Sequence, residues 1–269
     1  MDQNNISFAG AGRVAEALCK GLFHADFVID KVVSITEVNG KPLAASCKAE
    51  WSDKLIFPDF TKIIIVSVPD HRLQSVLHEL RCSDETLVAH TAGSCGLDIF
   101  PDKIKRKGVF YPLQTFSKRR KVSFTDLPFL LEASDHESAM VLKSLAESLK
   151  GKVYFVESDQ RRMLHLAAVF VNNFSNHMLT VGKEVALKAG FPFEILVPLL
   201  KETILKALDS GPENSQTGPA LRNDQNTIEK HLELLSFSQA LQKIYYEMTQ
   251  SIMEYYKTKD KSKKIKVKR

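Results

Sequence analysis

Four residues at helical spacing carry the first chemical suggestion in this sequence. In the stretch Ser158–Gly190 a turn of 100° per residue brings Arg161, His165, Asn172 and Asn176 onto one narrow stripe, with Asn173 and His177 beside it. Phe170, Val171, Phe174, Met178, Val181 and Val185 share a broad apolar face on the other side. Exposed helix faces usually carry Glu and Lys. Asn and His instead bind and orient polar atoms. His165 suits a general acid or base, since an unperturbed imidazole titrates near neutrality. Asn172 and Asn176 suit an oxygen or a carboxylate, and Arg161 a two-pronged bond to a carboxylate. The alternative is a row of satisfied polar groups at a helix–helix contact.

A second constellation lies at the start of the chain. Gly10-Ala11-Gly12-Arg13-Val14-Ala15 is G-x-G-x-x-A, preceded by the apolar run Ile6–Ala9 and followed by Val14, Ala17, Leu18 and Leu22 at helical spacing. In that strand–turn–helix setting Gly10 permits a tight turn. Gly12 lets a pyrophosphate approach the backbone, and Ala15 lets the helix pack close to a sheet. The free amides from Ala11 to Val14 then face the phosphates. The chemistry implied is dinucleotide binding. After a second strand, Val32–Ile35, Glu37 suits a ribose 2′-hydroxyl and leans toward NAD. Thr36, Asn39 and Lys41 keep a 2′-phosphate, and so NADP, open.

These groups need a scaffold. Apolar runs at Ile63–Val68 and Leu87–Ala89 read as parallel strands buried on both faces. They end in Val68-Pro69-Asp70 and in His90-Thr91-Ala92-Gly93-Ser94. Loops at the carboxyl ends of such strands line the ligand crevice, so Val68, Pro69, Asp70 and Thr91 are expected at the cofactor and Ser94 at the substrate. His90 reads either as a site residue or as a strand-end histidine bonded to backbone. A strand at Gly108–Tyr111 leads to Gln114 and Thr115, further candidates for substrate contact. The basic run 118–121 follows in a loop. Strands at Pro128–Glu132 and Val153–Val156, with a helix from about His136 to Leu149 between them, complete an alternating α/β pattern.

From Ser158 onward everything reads as helix. Ser158 is a suitable N-cap, and Gly190 followed by Pro192 a suitable stop, for one helix of roughly 30 residues, about 45 Å long. Helices are also expected at Phe193–Leu208, Gln225–Leu235 and Gln239–Tyr256. The polar loop between them holds Gln216, Thr217 and Arg222, candidate substrate-binding residues. The organisation expected is thus a doubly wound Rossmann-like domain over 1–157, an all-helical domain over 158–256 and a basic, solvated tail over 257–269.

The chain has 269 residues and a formal net charge of +5. The tail alone holds seven lysines, one arginine and one aspartate, leaving the rest at about −2. The basicity is therefore no argument for nucleic-acid binding by the folded part. Cys19, Cys47, Cys82 and Cys95 form no C-x-x-C pair, which speaks against a zinc site or a disulfide framework and for a reduced, cytoplasmic setting. No secretory signal and no membrane-spanning run is legible.

Taken together and in order, the G-x-G-x-x-A opening, Val68-Pro69-Asp70, His90-Thr91-Ala92-Gly93-Ser94, Tyr111-Pro112-Leu113-Gln114-Thr115-Phe116, His165–Phe170 with Asn173-Phe174 and Asn176-His177, and Gln216–Ala220 resemble a family of NAD(P)-dependent oxidoreductases. Its members join a Rossmann domain to a C-terminal helical domain of unknown function. The match spans about residues 5 to 255. The architecture is similar to that of the 6-phosphogluconate and 3-hydroxyacid dehydrogenases and of pyrroline-5-carboxylate reductase. The resemblance implies an NAD or NADP cofactor, a helical domain that forms a homodimer, and a small oxo, hydroxy or imino substrate, expected to be anionic, between the domains. It also shows a departure. The 3-hydroxyacid dehydrogenases carry a Lys on the corresponding helix with Asn four residues on, where this chain has His165 and Val169. Two functions stay open: hydride transfer, and dinucleotide binding without turnover.

Overall fold

The computed structural model describes residues 5–117, 120 and 122–266. Part of the basic run 118–121 and residues 267–269 lie outside the described residues. Contacts between Cα atoms divide the chain into two compact units, residues 1–174 and 175–269, with the division between Phe174 and Ser175.

The first unit is built on an eight-stranded sheet. Its strands are β1 (Ile6–Ala9), β2 (Ile29–Val33), β3 (Glu50–Ser52), β4 (Ile63–Val66), β5 (Leu87–His90), β6 (Arg106–Pro112), β7 (Pro128–Ala133) and β8 (Lys152–Phe155). Their order across the sheet is β3-β2-β1-β4-β5-β6-β7-β8. Every residue of β1, β4 and β5 is buried, as strands covered on both faces must be. The helices are α1 (Arg13–His24), α2 (Glu37–Ser46), α3 (Asp70–Glu79), α4 (His136–Ser148) and α5 (Ser158–Ala168). Leu18 and Leu22 of α1, Leu43 of α2 and Leu142 and Leu145 of α4 pack on one side with Phe8, Phe110 and Phe129. On the other side Leu73, Val76 and Leu77 of α3 pack with Ile64, Val88 and Phe100. Two cores on one sheet make the doubly wound arrangement. The sheet departs from all-parallel at one place: β7 runs antiparallel to β6 and parallel to β8.

All four cysteines are free, and the sulfurs of Cys19 and Cys47 meet in the core 3.4 Å apart. Among the described residues no helix is long and apolar enough to cross a membrane.

The stretch expected as one α-helix from Ser158 is interrupted. After α5 comes a π-helical segment, Val169–Phe174, and then α6 (Ser175–Lys188). The division between units falls at the end of the π segment rather than at residue 157, because α5 is tied to the sheet unit by Arg161. The first turn of α5 also differs from expectation. Glu157 is the N-cap, and its amide donates to Gln160 Oε1 at 3.0 Å. Ser158 is left free to donate its hydroxyl to Glu132.

The second unit consists of α6, a short 3-10 turn at Phe193–Leu196, α7 (Val197–Ser210), α8 (Pro212–Ser215), α9 (Pro219–Arg222), α10 (Gln225–Leu234) and α11 (Gln239–Lys266). Gly190 closes α6 at φ +82°, with the Phe191 amide bonded back to Ala186 O. Asp224 caps α10 by accepting from the Thr227 amide at 3.2 Å. α11 takes in most of the stretch expected as a solvated tail. Large apolar side chains stay exposed along α7 and α10, with Leu208 79% and Leu234 73% accessible.

Candidate functional site

The order of the strands fixes where a ligand can sit. From β1 the chain moves outward to β2 and β3, then returns to lay β4 on the other flank of β1, so the loops after β1 and β4 diverge and leave a crevice. Two backbone bonds pin this point: the Gly10 amide donates to Val33 O at 2.7 Å, and the Ser67 amide to Ala9 O at 2.8 Å.

The two glycines of the β1–α1 turn do different work. Gly10 sits at φ +117°, and a Cβ there would stand 2.1 Å from Ser67 O. It is a residue of the scaffold, behind the crevice. Gly12 caps α1 in extended backbone without a side-chain bond, and a Cβ added to it would meet nothing within 4 Å. The N-cap of α1 therefore presents bare backbone to open space, the form a phosphate cradle takes.

That space is a cavity of about 990 Å³ formed wholly within the first unit. Gly12, Arg13 and Val14 line one part, with Val68, Pro69, Asp70 and Thr91 from the loops after β4 and β5. Gln114 and Thr115 from the loop after β6, and His165 and Asn172 from α5 and the π segment, line another. The fold brings these residues to one cavity. Ala11 and Gly10 lie behind the cavity wall, Ala11 packed against the core. Ser94 is exposed and donates to Asp70 Oδ2, so it holds a lining residue rather than lining the cavity itself.

Other expected site residues are placed elsewhere. Arg161 is fully buried; it pairs with Glu132 Oε2 and donates to Cys95 O. Its charge is already neutralised inside the protein, so it is a structural anchor and not a substrate clamp. Glu37 opens α2, is exposed and is paired with Lys41, not with the cavity. Asn176 and Arg222 are exposed in the second unit. Gln216 and Thr217 border a separate cavity of about 650 Å³ there, lined mostly by apolar side chains such as Met178, Leu235 and Ile244.

The cavity also contains two residues given no role of their own in the sequence, Tyr111 and Asn173. Tyr111, at the end of β6, directs its hydroxyl to His165 Nδ1 at 3.0 Å, with the rings edge to face. Burial, with the charge of Asp70, raises the Tyr111 pKa, so the phenol keeps its proton. Asn173 joins Asn172 in the lining and accepts a bond from it at 3.0 Å. The π segment explains this: its wider turn brings adjacent residues to one wall, and such turns recur at functional sites. Tyr111 could have been found from its place at the carboxyl end of a strand.

His90 is a core residue. Its Nδ1 accepts from the Ala92 amide at 3.2 Å, so Nε2 carries the proton and donates to Gly96 O at 3.3 Å. The ring stacks on Phe100, and burial lowers its pKa to about 4. At the β2–α2 corner the Trp51 indole donates to Ser34 Oγ at 3.1 Å, and Ser34 donates to Thr36 O at 2.9 Å.

Comparison with known proteins places these features. Residues 3–115 match the family model described as "Rossmann-like domain", and residues 127–252 that described as "Domain of unknown function (DUF2520)". Among solved structures, the chain is similar to the "putative NADP oxidoreductase BF3122" from Bacteroides fragilis. The two are 40% identical over 94% of this chain and 98% of that one, with a TM-score of 0.85. It is similar also to protein TM1727 from Thermotoga maritima, at 21% identity over 95% and 99% of the two chains and a TM-score of 0.69. The fold extends to 1-pyrroline-5-carboxylate reductase from Streptococcus pyogenes, at 15% identity over 93% and 98% and a TM-score of 0.58. No curated protein matches the sequence.

Proposed function

The chain belongs to the family that joins a Rossmann-like domain to the DUF2520 domain, and from that premise we propose that it is an NAD(P)-dependent oxidoreductase acting on a small oxo, hydroxy or imino compound. The observation that carries the reading is one cavity with two chemically distinct ends. The opening of α1, whose N-cap Gly12 carries no side chain, stands at one, and the Tyr111–His165 pair at the other.

The residues present fit a dinucleotide. The amides of Gly12, Arg13 and Val14 would hold the pyrophosphate, aided by the helix dipole. Val68, Pro69 and Thr91 would flank the remainder. Once bound, the cofactor supplies the hydride chemistry. His165 holds or receives a proton, and Asn172 and Asn173 orient a substrate oxygen. Among the described residues Arg13 is the one Arg or Lys that lines this cavity, beside Gly12 at the opening of α1. A binding module without turnover has no use for a proton-handling pair beside the cofactor.

For the cofactor this reading favours NADP(H). Glu37 is engaged by Lys41, Ser34 rather than an acid follows β2, and the 40% identical relative is described as an NADP protein. We also read the exposed apolar side chains of α7 and α10, including Leu199, Leu205, Leu208 and Leu234, as the surface that pairs two copies of the chain.

The test is a thermal-shift titration with NAD, NADH, NADP and NADPH. A shift is expected with at least one pair, larger for the phosphorylated one. No shift with any of the four removes the reading. Light scattering should give twice the chain mass, and Leu205→Lys with Leu208→Lys should halve it.

A further inference from the structure

We propose that Tyr111 is a positioning residue that holds neutral His165 as its Nε2–H tautomer, so that the pair offers a hydrogen-bond donor to the cavity and the site takes a carbonyl–hydroxyl couple rather than a protonated imine. This rests on the function proposed above and narrows its substrate class.

The geometry leaves few arrangements. The Tyr111 hydroxyl has one proton, and a neutral imidazole has one ring nitrogen with a lone pair. The hydroxyl and Nδ1 are 3.0 Å apart, and among the described residues no other side chain or backbone group bonds either of them. If Nδ1 carried the ring proton, the half-buried phenol would lose its protein acceptor. With the phenol donating to Nδ1, both groups are satisfied inside the protein. The ring proton then stands on Nε2 of a residue that lines the cavity. His90 shows the same logic, with a backbone amide in the place of the phenol.

The pair is held from three directions. Tyr111 comes from β6. His165 lies one helical turn after Arg161, which is locked to Glu132 and Cys95. Beneath both rings is Gly93, where a Cβ would lie 2.6 Å from His165 Nδ1 and 2.8 Å from Tyr111 Cζ. Only a residue without a side chain lets the two rings meet.

A donor selects its partner. A carbonyl oxygen has lone pairs to accept the Nε2–H bond, whereas the nitrogen of a protonated imine has none.

The tautomer can be read without any substrate. In histidine-labelled ¹⁵N protein at a pH where His165 is neutral, long-range ¹H–¹⁵N correlations, assigned with His165→Gln, are expected to show a protonated Nε2 and a bare Nδ1. Tyr111→Phe, and independently Gly93→Ala, should move the signals toward a mixture of tautomers. A protonated Nδ1 in the unaltered protein, or the same tautomer in both variants, overturns the proposal. Titrating the same samples with NADPH separates the two readings, since loss of cofactor binding by the unaltered protein counts against the function and leaves the tautomer result standing. Turnover of cyclic imines, with none of ketones or aldehydes, overturns the substrate class.

Discussion

The guanidinium of Arg161 and the carboxylate of Glu132 are paired where water does not reach the arginine at all. The pair joins α5 to β7; the Ser158 hydroxyl also donates to Glu132, and Arg161 donates to the Cys95 carbonyl. A buried pair of this kind need not add net stability, but breaking it is costly. Glu132→Ala is expected to lower unfolding free energy by about 3–5 kcal/mol in denaturant titrations. The double replacement by Met at both positions should recover most of that loss. If the single variant unfolds at the unaltered denaturant midpoint, Arg161 is not the anchor described.

Gly10 and Gly12 should separate under the same substitution. Gly10→Ala places a Cβ against the Ser67 carbonyl at a left-handed φ, and a loss of about 1–3 kcal/mol of stability is expected. Gly12→Ala meets open space and should melt close to the unaltered protein. It should weaken dinucleotide binding at least tenfold, about 1.4 kcal/mol. Equal affinity in Gly12→Ala would mean that the opening of α1 is not the cradle.

His90 gives the fold a pH dependence. Burial lowers its pKa from 6.5 to about 4, so between those values the unfolded chain binds a proton that the folded chain does not. Its contribution is present above pH 6.5 and is lost as pH falls toward 4. Asp30 acts in the opposite sense: burial raises its pKa from 3.8 to about 6, and its contribution grows as pH falls through that range. The curve of the unaltered protein mixes the two. The difference between it and His90→Gln, measured from pH 7 to pH 4, should fall with pH, and a flat difference contradicts the assignment.

Asp135 caps α4, accepting from the Ser138 amide at 2.7 Å and from the Ser138 hydroxyl at 2.7 Å. Asp135→Ala should cost about 1 kcal/mol, visible as a lower melting temperature. The bond from the Ser138 amide lowers the Asp135 pKa, so this contribution is present above pH 3.8 and lost below it.

What could be read in the sequence depended on how far apart the interacting residues lie. β1, β4 and β5 are continuous apolar runs, and G-x-G-x-x-A is a local pattern, so the centre of the sheet and the opening of α1 were legible. β3 has three residues at the edge of the sheet and no apolar run. α2 has Pro42 inside it and no clear apolar stripe, so the helix that Glu37 opens was not legible. The reversal of β7 leaves no trace in periodicity, because alternation carries no direction. The stripe of Arg161, His165, Asn172 and Asn176 assumed an unbroken period of 3.6. The π segment broke that period, bringing Asn173 into the cavity beside Asn172. Arg161 looked like a free cation because its partner lies 29 positions away. Tyr111 and His165 are 54 positions apart, and no spacing rule joins them.

Trp51 is the only tryptophan in the chain, and its indole is bonded to Ser34 at the β2–α2 corner with the Lys41 ammonium over its ring. Any fluorescence excited at the indole band thus originates at one known address, on the strand pair that flanks the β1–α1 turn. The molecule carries an intrinsic optical reporter at the place where the adenosine end of a dinucleotide is expected, and emission from it can follow binding without a label.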